Sequence, residues 1–103
     1  MGKYNKELGG IHADLKKKGV PNVKVDHLQN FPVYFQEEIE RMFEEGSFNH
    51  RKAFVITTRL GGEDAVLVLG EMNTKKYRVA DGVDSKTLQK AKNILKRYGY
   101  KVE

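Results

Sequence analysis

The sequence predicts a single α+β domain spanning 1–103, with helices packed on one face of a small three-stranded antiparallel meander sheet. Three observations carry that reading. Apolar residues recur at helical spacing in an early, a middle and a late stretch, and each stretch is closed by a glycine. Between the middle and late stretches the period shortens, and β-branched residues crowd into 53–60. Glycine- and asparagine-led turns then divide that region into strand-length pieces.

Tyr4, Leu8, Ile11 and Leu15 are spaced four, three and four apart, one face of a helix running to about Lys18. Gly19 supplies a left-handed stop, and Pro21 prevents continuation. Gly9 and Gly10 each cost roughly 1 kcal/mol against alanine in a helix interior, which places the secure start of this helix after them. Val23-Lys-Val-Asp-His-Leu28 opens on an apolar/polar alternation that suits an edge strand. Asn30 and Pro32 begin the second helix, where Phe35, Ile39, Met42 and Phe43 recur at i, i+4, i+7 and i+8 until Gly46.

Ala53 to Leu60 and Ala65 to Leu69 read as two strands of a hairpin about Gly61-Gly-Glu-Asp64, and Asn73 to Lys76 turns the chain into a third strand, Tyr77 to Ala80. Asp84 or Ser85 caps the last helix and Gly99 stops it. Leu88, Ala91, Ile94, Leu95 and Tyr98 fall within an arc of about 120° at roughly 100° per residue. Tyr100 to Glu103 suits a final short strand.

The net charge of +5 is unevenly divided. Residues 1–25 hold six lysines against two acids, and residues 26–47 hold six acids against Arg41. Residues 86–103 hold six bases against Glu103 alone. Both ends are basic around an acidic helix, so the molecule is expected to be dipolar. No cysteine is present, which removes disulfides, thiolate metal sites and thiol nucleophiles and fits a reducing compartment, the cytoplasm by default. The first thirty residues show no apolar leader, and no apolar run is long enough to span a bilayer, so neither export nor membrane insertion is expected.

No motif predicts catalysis. His12, His27 and His50 are scattered, without metal-ligand spacing, and no cofactor or metal is expected. His50, with Arg51 and Lys52 after Gly46-Ser47, is a candidate phosphate contact. Asp64, Glu71 and Lys75 are the residues from which a metal-dependent nuclease set would have to be built, though their spacing matches no sharp signature. Ser47 and Ser85 lack a nucleophile context, and Gly9-Gly10 and Gly61-Gly62 do not follow the pattern of a phosphate-binding loop.

The expectation is therefore a binding protein. Lys75, Lys76, Arg78, Lys86, Lys90, Lys92, Lys96 and Arg97 place eight cations within 23 residues, and no acid interrupts the polar face of the last helix. Such a surface suits DNA or RNA, with Tyr77, Tyr98 and Tyr100 as stacking candidates. The competing expectation is a regulator or inhibitor that docks on a protein partner through the acidic helix or a strand edge.

The order helix, three strands, helix from Pro32 to Tyr98 resembles the double-stranded-RNA-binding domain. That resemblance implies phosphate gripping by lysines near the start of the last helix, here Lys86, Lys90 and Lys92, although its usual lysine motif is not reproduced. Asn30-Phe-Pro-Val-Tyr34 followed by Phe48-Asn-His-Arg-Lys-Ala-Phe54 is similar in part to the helical iron–sulfur region of primase large subunits. Tyr34 stands where a cysteine would be, which excludes such a cluster, and Val55-Ile-Thr-Thr58 argues for strand over helix.

Overall fold

A computed structural model of the chain describes residues 6–43, 52–60, 62–80 and 82–102. Its elements run α1 (Lys6–Lys17), β1 (Lys24–His27), a 3₁₀ turn (Leu28–Asn30), α2 (Val33–Phe43), β2 (Ala53–Leu60), β3 (Glu63–Glu71), β4 (Lys76–Val79), α3 (Ser85–Arg97) and β5 (Lys101–Val102). The α+β class and the β2–β3–β4 meander are as expected. The sheet itself is larger. Among the described residues it has five strands in chain order, β1 pairing antiparallel with β2 on one side and β5 parallel with β4 on the other, which makes it mixed.

The helices do not share a face. Val25, Ile56, Val68 and Val79 stand opposite one another across four strands. The first three belong to a core that includes Leu8, Ile11 and Leu15 of α1 and Ala91, Ile94 and Leu95 of α3, and Val79 packs against it. One residue along each strand, side chains point to the other face. There Ala53, Val55, Val66 and Leu69 join Leu28, Phe31 and Ile39 in a second core, with Phe35 and Phe43 of α2 packed against it. The sequence reading fails here because β2 and β3 are apolar on both faces, the pattern of a sheet covered twice. The helix, three strands, helix order of Pro32 to Tyr98 is present, with its two helices on opposite sides of the sheet. Strand β2 begins at Ala53, so the last two residues of the 48–54 segment are extended, not helical.

Helices α1 and α3 end in the same way. Gly19 and Gly99 both adopt φ +87°. Val20 N–H donates to the Leu15 carbonyl and Tyr100 N–H to the Leu95 carbonyl, each pair buried together. This is the glycine-terminated cap in which a backbone bond and an apolar contact close the last turn. At the start of α3, Asp84 accepts from the Thr87 hydroxyl at 2.9 Å and the Thr87 amide at 3.1 Å. These bonds favour the carboxylate and hold Asp84 below the usual range. The sequence left Asp84 and Ser85 as alternatives; Asp84 is the cap. The expected stop of α2 at Gly46 lies outside the described residues.

Two glycines are set by close approach. Gly70 faces Phe54 across the β2–β3 pair, and a Cβ there would lie 2.3 Å from Phe54 Cζ. The ring fills the space that a side chain would take and meets Tyr100 edge-on at 5.4 Å. Gly10 lies beneath the Tyr98 hydroxyl, 2.5 Å from where its Cβ would be. Helix α1 is already formed at Lys6, the first described residue, and runs through both glycines, against the expectation of a later start. The propensity cost at Gly10 is offset by close packing against α3.

Candidate nucleic-acid interface

Helices α1 and α3 lie side by side and antiparallel on one face of the sheet. Glu7 accepts from the Tyr100 hydroxyl at 3.0 Å, Asp14 accepts from the Tyr98 hydroxyl at 3.1 Å, and Gly19 lies near the Lys90 ammonium. Each step along α1 meets an earlier part of α3, and this fixes where the cations go. The basic last turn of α1, Lys16 and Lys17 with Lys18 just beyond, is brought to the flank of α3. Lys18, Lys90, Asn93 and Arg97 line one shallow groove there.

Within α3 the cations divide by helical angle. Lys86, Lys90, Asn93 and Arg97 follow i, i+4, i+7 and i+11, a single stripe. Lys92, two positions beyond Lys90 and so about 160° round the helix, lies on the other flank; Lys96 projects between the two. Lys86, Lys96 and Arg97 are exposed, while Lys90 and Lys92 are half-buried. Lys96 and Arg97 sit in the last turn of α3, and Lys16 and Lys17 in that of α1, where the helix macrodipole favours cations.

The remaining three predicted cations are not part of this surface. Lys75 pairs with the Glu7 carboxylate, and its ammonium lies 4.6 Å above the Tyr100 ring. Tyr77 and Val79 face α3, so alternation sends Lys76 and Arg78 to the α2 face. Arg78 donates from Nη1 to the Phe43 carbonyl at 3.1 Å, closing the end of α2. Lys76 is exposed beside Lys101 on β5.

The tyrosines are placed in the core and not on the basic surface. Tyr77 and Tyr100 are 5% and 3% exposed. Tyr98 is half-buried, with its hydroxyl on Asp14. Burial raises the pKa of all three; the Asp14 contact adds to it at Tyr98, and the Glu7 contact at Tyr100. Stacking on bases is therefore not available to Tyr77 or Tyr100.

Other candidates separate in the same way. Asp64 and Glu71 sit seven residues apart on β3, roughly 23 Å at strand rise, so they and Lys75 do not converge. Asp64 instead meets Arg59 at 3.7 Å. His12 Nε2 lies 3.0 Å from the Val23 carbonyl, tying α1 to the segment before β1. His50 and Arg51 lie outside the described residues. Among the described residues no helix is long and apolar enough to cross a membrane.

Sequence reasoning confined the basic surface to residues 75–101 and missed Lys16, Lys17 and Lys18. Its signal was visible as the second basic end of the chain. No family model, characterised protein or solved structure matches this chain.

Proposed function

We propose that the protein is a small non-catalytic nucleic-acid-binding protein of the cytoplasm that grips the phosphate backbone along the seam of α1 and α3. One observation carries this reading: Lys18 from one basic end of the chain and Lys90 and Arg97 from the other line the same groove. Lys86 extends the stripe on one helix, and Lys16 and Lys17 extend it on the other. Several phosphates can be met at once by such a surface, and binding of that kind is steered and salt-sensitive. The surface offers cations and an amide rather than exposed rings, so it suits backbone contact more than base stacking. A duplex, which holds its phosphates at higher density than a single strand, is the better ligand.

The test is a titration of labelled single- and double-stranded DNA and RNA at two salt concentrations. The native chain is compared with a Lys18→Gln, Lys90→Gln, Arg97→Gln variant and with Lys76→Gln on the opposite face. Tight, salt-sensitive binding that the triple variant loses and Lys76→Gln keeps supports the seam. Equal weakening in both variants points to non-specific attraction, and no binding at low salt ends the nucleic-acid reading.

A second reading, a regulator that docks on a protein partner, is favoured by α2. Val33 and Tyr34 are 69% and 72% exposed beside the exposed Glu37 and Glu38, an apolar and acidic surface on one helix. A stable complex with one protein that survives nuclease treatment would support it.

A further inference from the structure

On the α2 face, away from the basic seam, a cleft of about 310 Å³ opens where β1 and β2 meet the start of α2. This is the low end of the range of about 300–1,000 Å³ that small-molecule sites occupy. Its lining is of mixed chemistry: Phe31, Tyr34 and Phe35 on one side, Lys24 and Arg59 on the other, Thr57 between them. We infer that this cleft is a binding site for a small aromatic anion, a planar ring carrying a phosphate or carboxylate, of about the size of a nucleoside monophosphate.

Three features meet there. The first is an aromatic wall whose accessible rings are the exposed Tyr34 and half-buried Phe35, backed by the nearly enclosed Phe31. Phe31 and Phe35 stand 5.0 Å apart with their planes 31° from parallel, and the Lys24 ammonium lies 4.9 Å from the Phe31 ring centre. The second is the start of α2. The Phe35 and Gln36 amides both donate to the Pro32 carbonyl, while those of Val33 and Tyr34 have no acceptor among the described residues. Free amides at a helix start, with the positive end of the macrodipole, favour an anion.

The third feature is Thr57. It pairs across the sheet with Lys24, is only 7% exposed, and lines the cleft. Its hydroxyl has no hydrogen-bond partner among the described residues, whereas the adjacent Thr58 donates to the Pro21 carbonyl. Among the described residues no enclosed side-chain polar atom lacks a partner, so this unpaired hydroxyl is open to solvent in the cleft, where it can donate to a bound anion. Asp64 is the acid on the rim. Its contact with Arg59 is a single 3.7 Å approach between largely exposed side chains, weak enough for the guanidinium to turn to a bound anion.

The experiment is an amide chemical-shift titration of the full chain with phenyl phosphate and with adenosine 5′-monophosphate. Phenol and inorganic phosphate are the single-feature controls. Saturable shifts centred on Val33, Tyr34 and Thr57, larger for the two aromatic phosphates than for either control, are expected. Thr57→Val, which keeps shape and removes the hydroxyl, should weaken binding roughly ten-fold while leaving the thermal midpoint in place. Arg59→Gln should weaken it as well. The inference is overturned if the shifts fall on α1 and α3 cations instead, if phenol binds as well as phenyl phosphate, or if Thr57→Val binds unchanged. The nucleic-acid reading is tested separately by the salt-dependent titration of the seam, and shifts confined to the α1 and α3 cations would overturn the cleft while leaving that reading standing.

Discussion

Replacing Gly10 with alanine should destabilise the protein, and removing one distant oxygen atom should reverse the sign. Alanine is worth about 1 kcal/mol over glycine inside a helix, so an open site would be stabilised by that amount. Here the new Cβ falls 2.5 Å from the Tyr98 hydroxyl oxygen but 3.4 and 3.5 Å from ring carbons Cζ and Cε2. The hydroxyl must leave, and with it goes the 3.1 Å bond that it donates to Asp14. Losing that half-buried bond costs about 1 kcal/mol, and overpacking adds about 1–2 kcal/mol. The net effect of Gly10→Ala is a loss of about 1–2 kcal/mol.

Tyr98→Phe alone loses the bond, about 1 kcal/mol. In that background only the ordinary carbon contacts remain, and Gly10→Ala recovers its intrinsic gain of about 1 kcal/mol. The double variant should therefore lie near the native protein, with a coupling of about 2–3 kcal/mol between the two positions. Urea denaturation of the four proteins at neutral pH, read by linear extrapolation, measures it. A Gly10→Ala variant more stable than the native chain, or two effects that add, would refute the packing of α1 on α3 through this glycine.

Gly70→Ala should be worse, because its Cβ would meet Phe54 Cζ and Cε1 at 2.3 and 2.4 Å, and that ring is fully enclosed. A loss of about 2 kcal/mol or more, on the order of 10 °C in Tm, is expected by thermal melting. Phe54→Leu should recover part of it. At the seam, the Lys18→Gln, Lys90→Gln, Arg97→Gln variant should lower the slope of log K against log salt for duplex DNA by roughly 2.7, about 0.9 for each phosphate no longer neutralised. A slope unchanged within error would place the phosphates elsewhere. Alkaline stability should follow the tyrosines. Tyr77, Tyr98 and Tyr100 bind their protons more tightly when folded than the ordinary value of 10.0. Their contribution is then complete below that pH and is lost as pH rises past it, since the unfolded chain ionises first. Urea midpoints should be insensitive to these groups up to about pH 9 and fall above about pH 10, less steeply in Tyr98→Phe. Midpoints that rise above pH 10 would contradict the buried, hydrogen-bonded placement.

Local features were legible because they depend on a few neighbouring residues. Gly19 and Gly99 were readable as helix stops, since only the backbone of the adjacent turn is involved. Asp84 was one of two readable caps. The β2–β3 hairpin followed from β-branched residues flanking a glycine turn. Partner choice across the sheet was not legible in this way. Strand β5 falls within the expected final strand, but its parallel pairing with β4 was not expected, because it depends on α3 returning the chain beside β4. The cleft was equally hidden, since Lys24, Thr57 and Arg59 acquire meaning only when pairing sets them opposite the start of α2.

By itself, the sequence determined the α+β class, the three helices, the hairpin and the two basic ends, because hydrophobic period, turn residues and charge are written in consecutive positions. Only the tertiary structure decided that α2 covers the face opposite α1 and α3. It also decided that Lys18 lines one groove with Lys90 and Arg97, and that Lys76 and Arg78 do not. The physical reason is common to all three. A side chain's face is fixed by local period, but what lies across from it depends on which apolar surfaces find one another when the chain closes on itself.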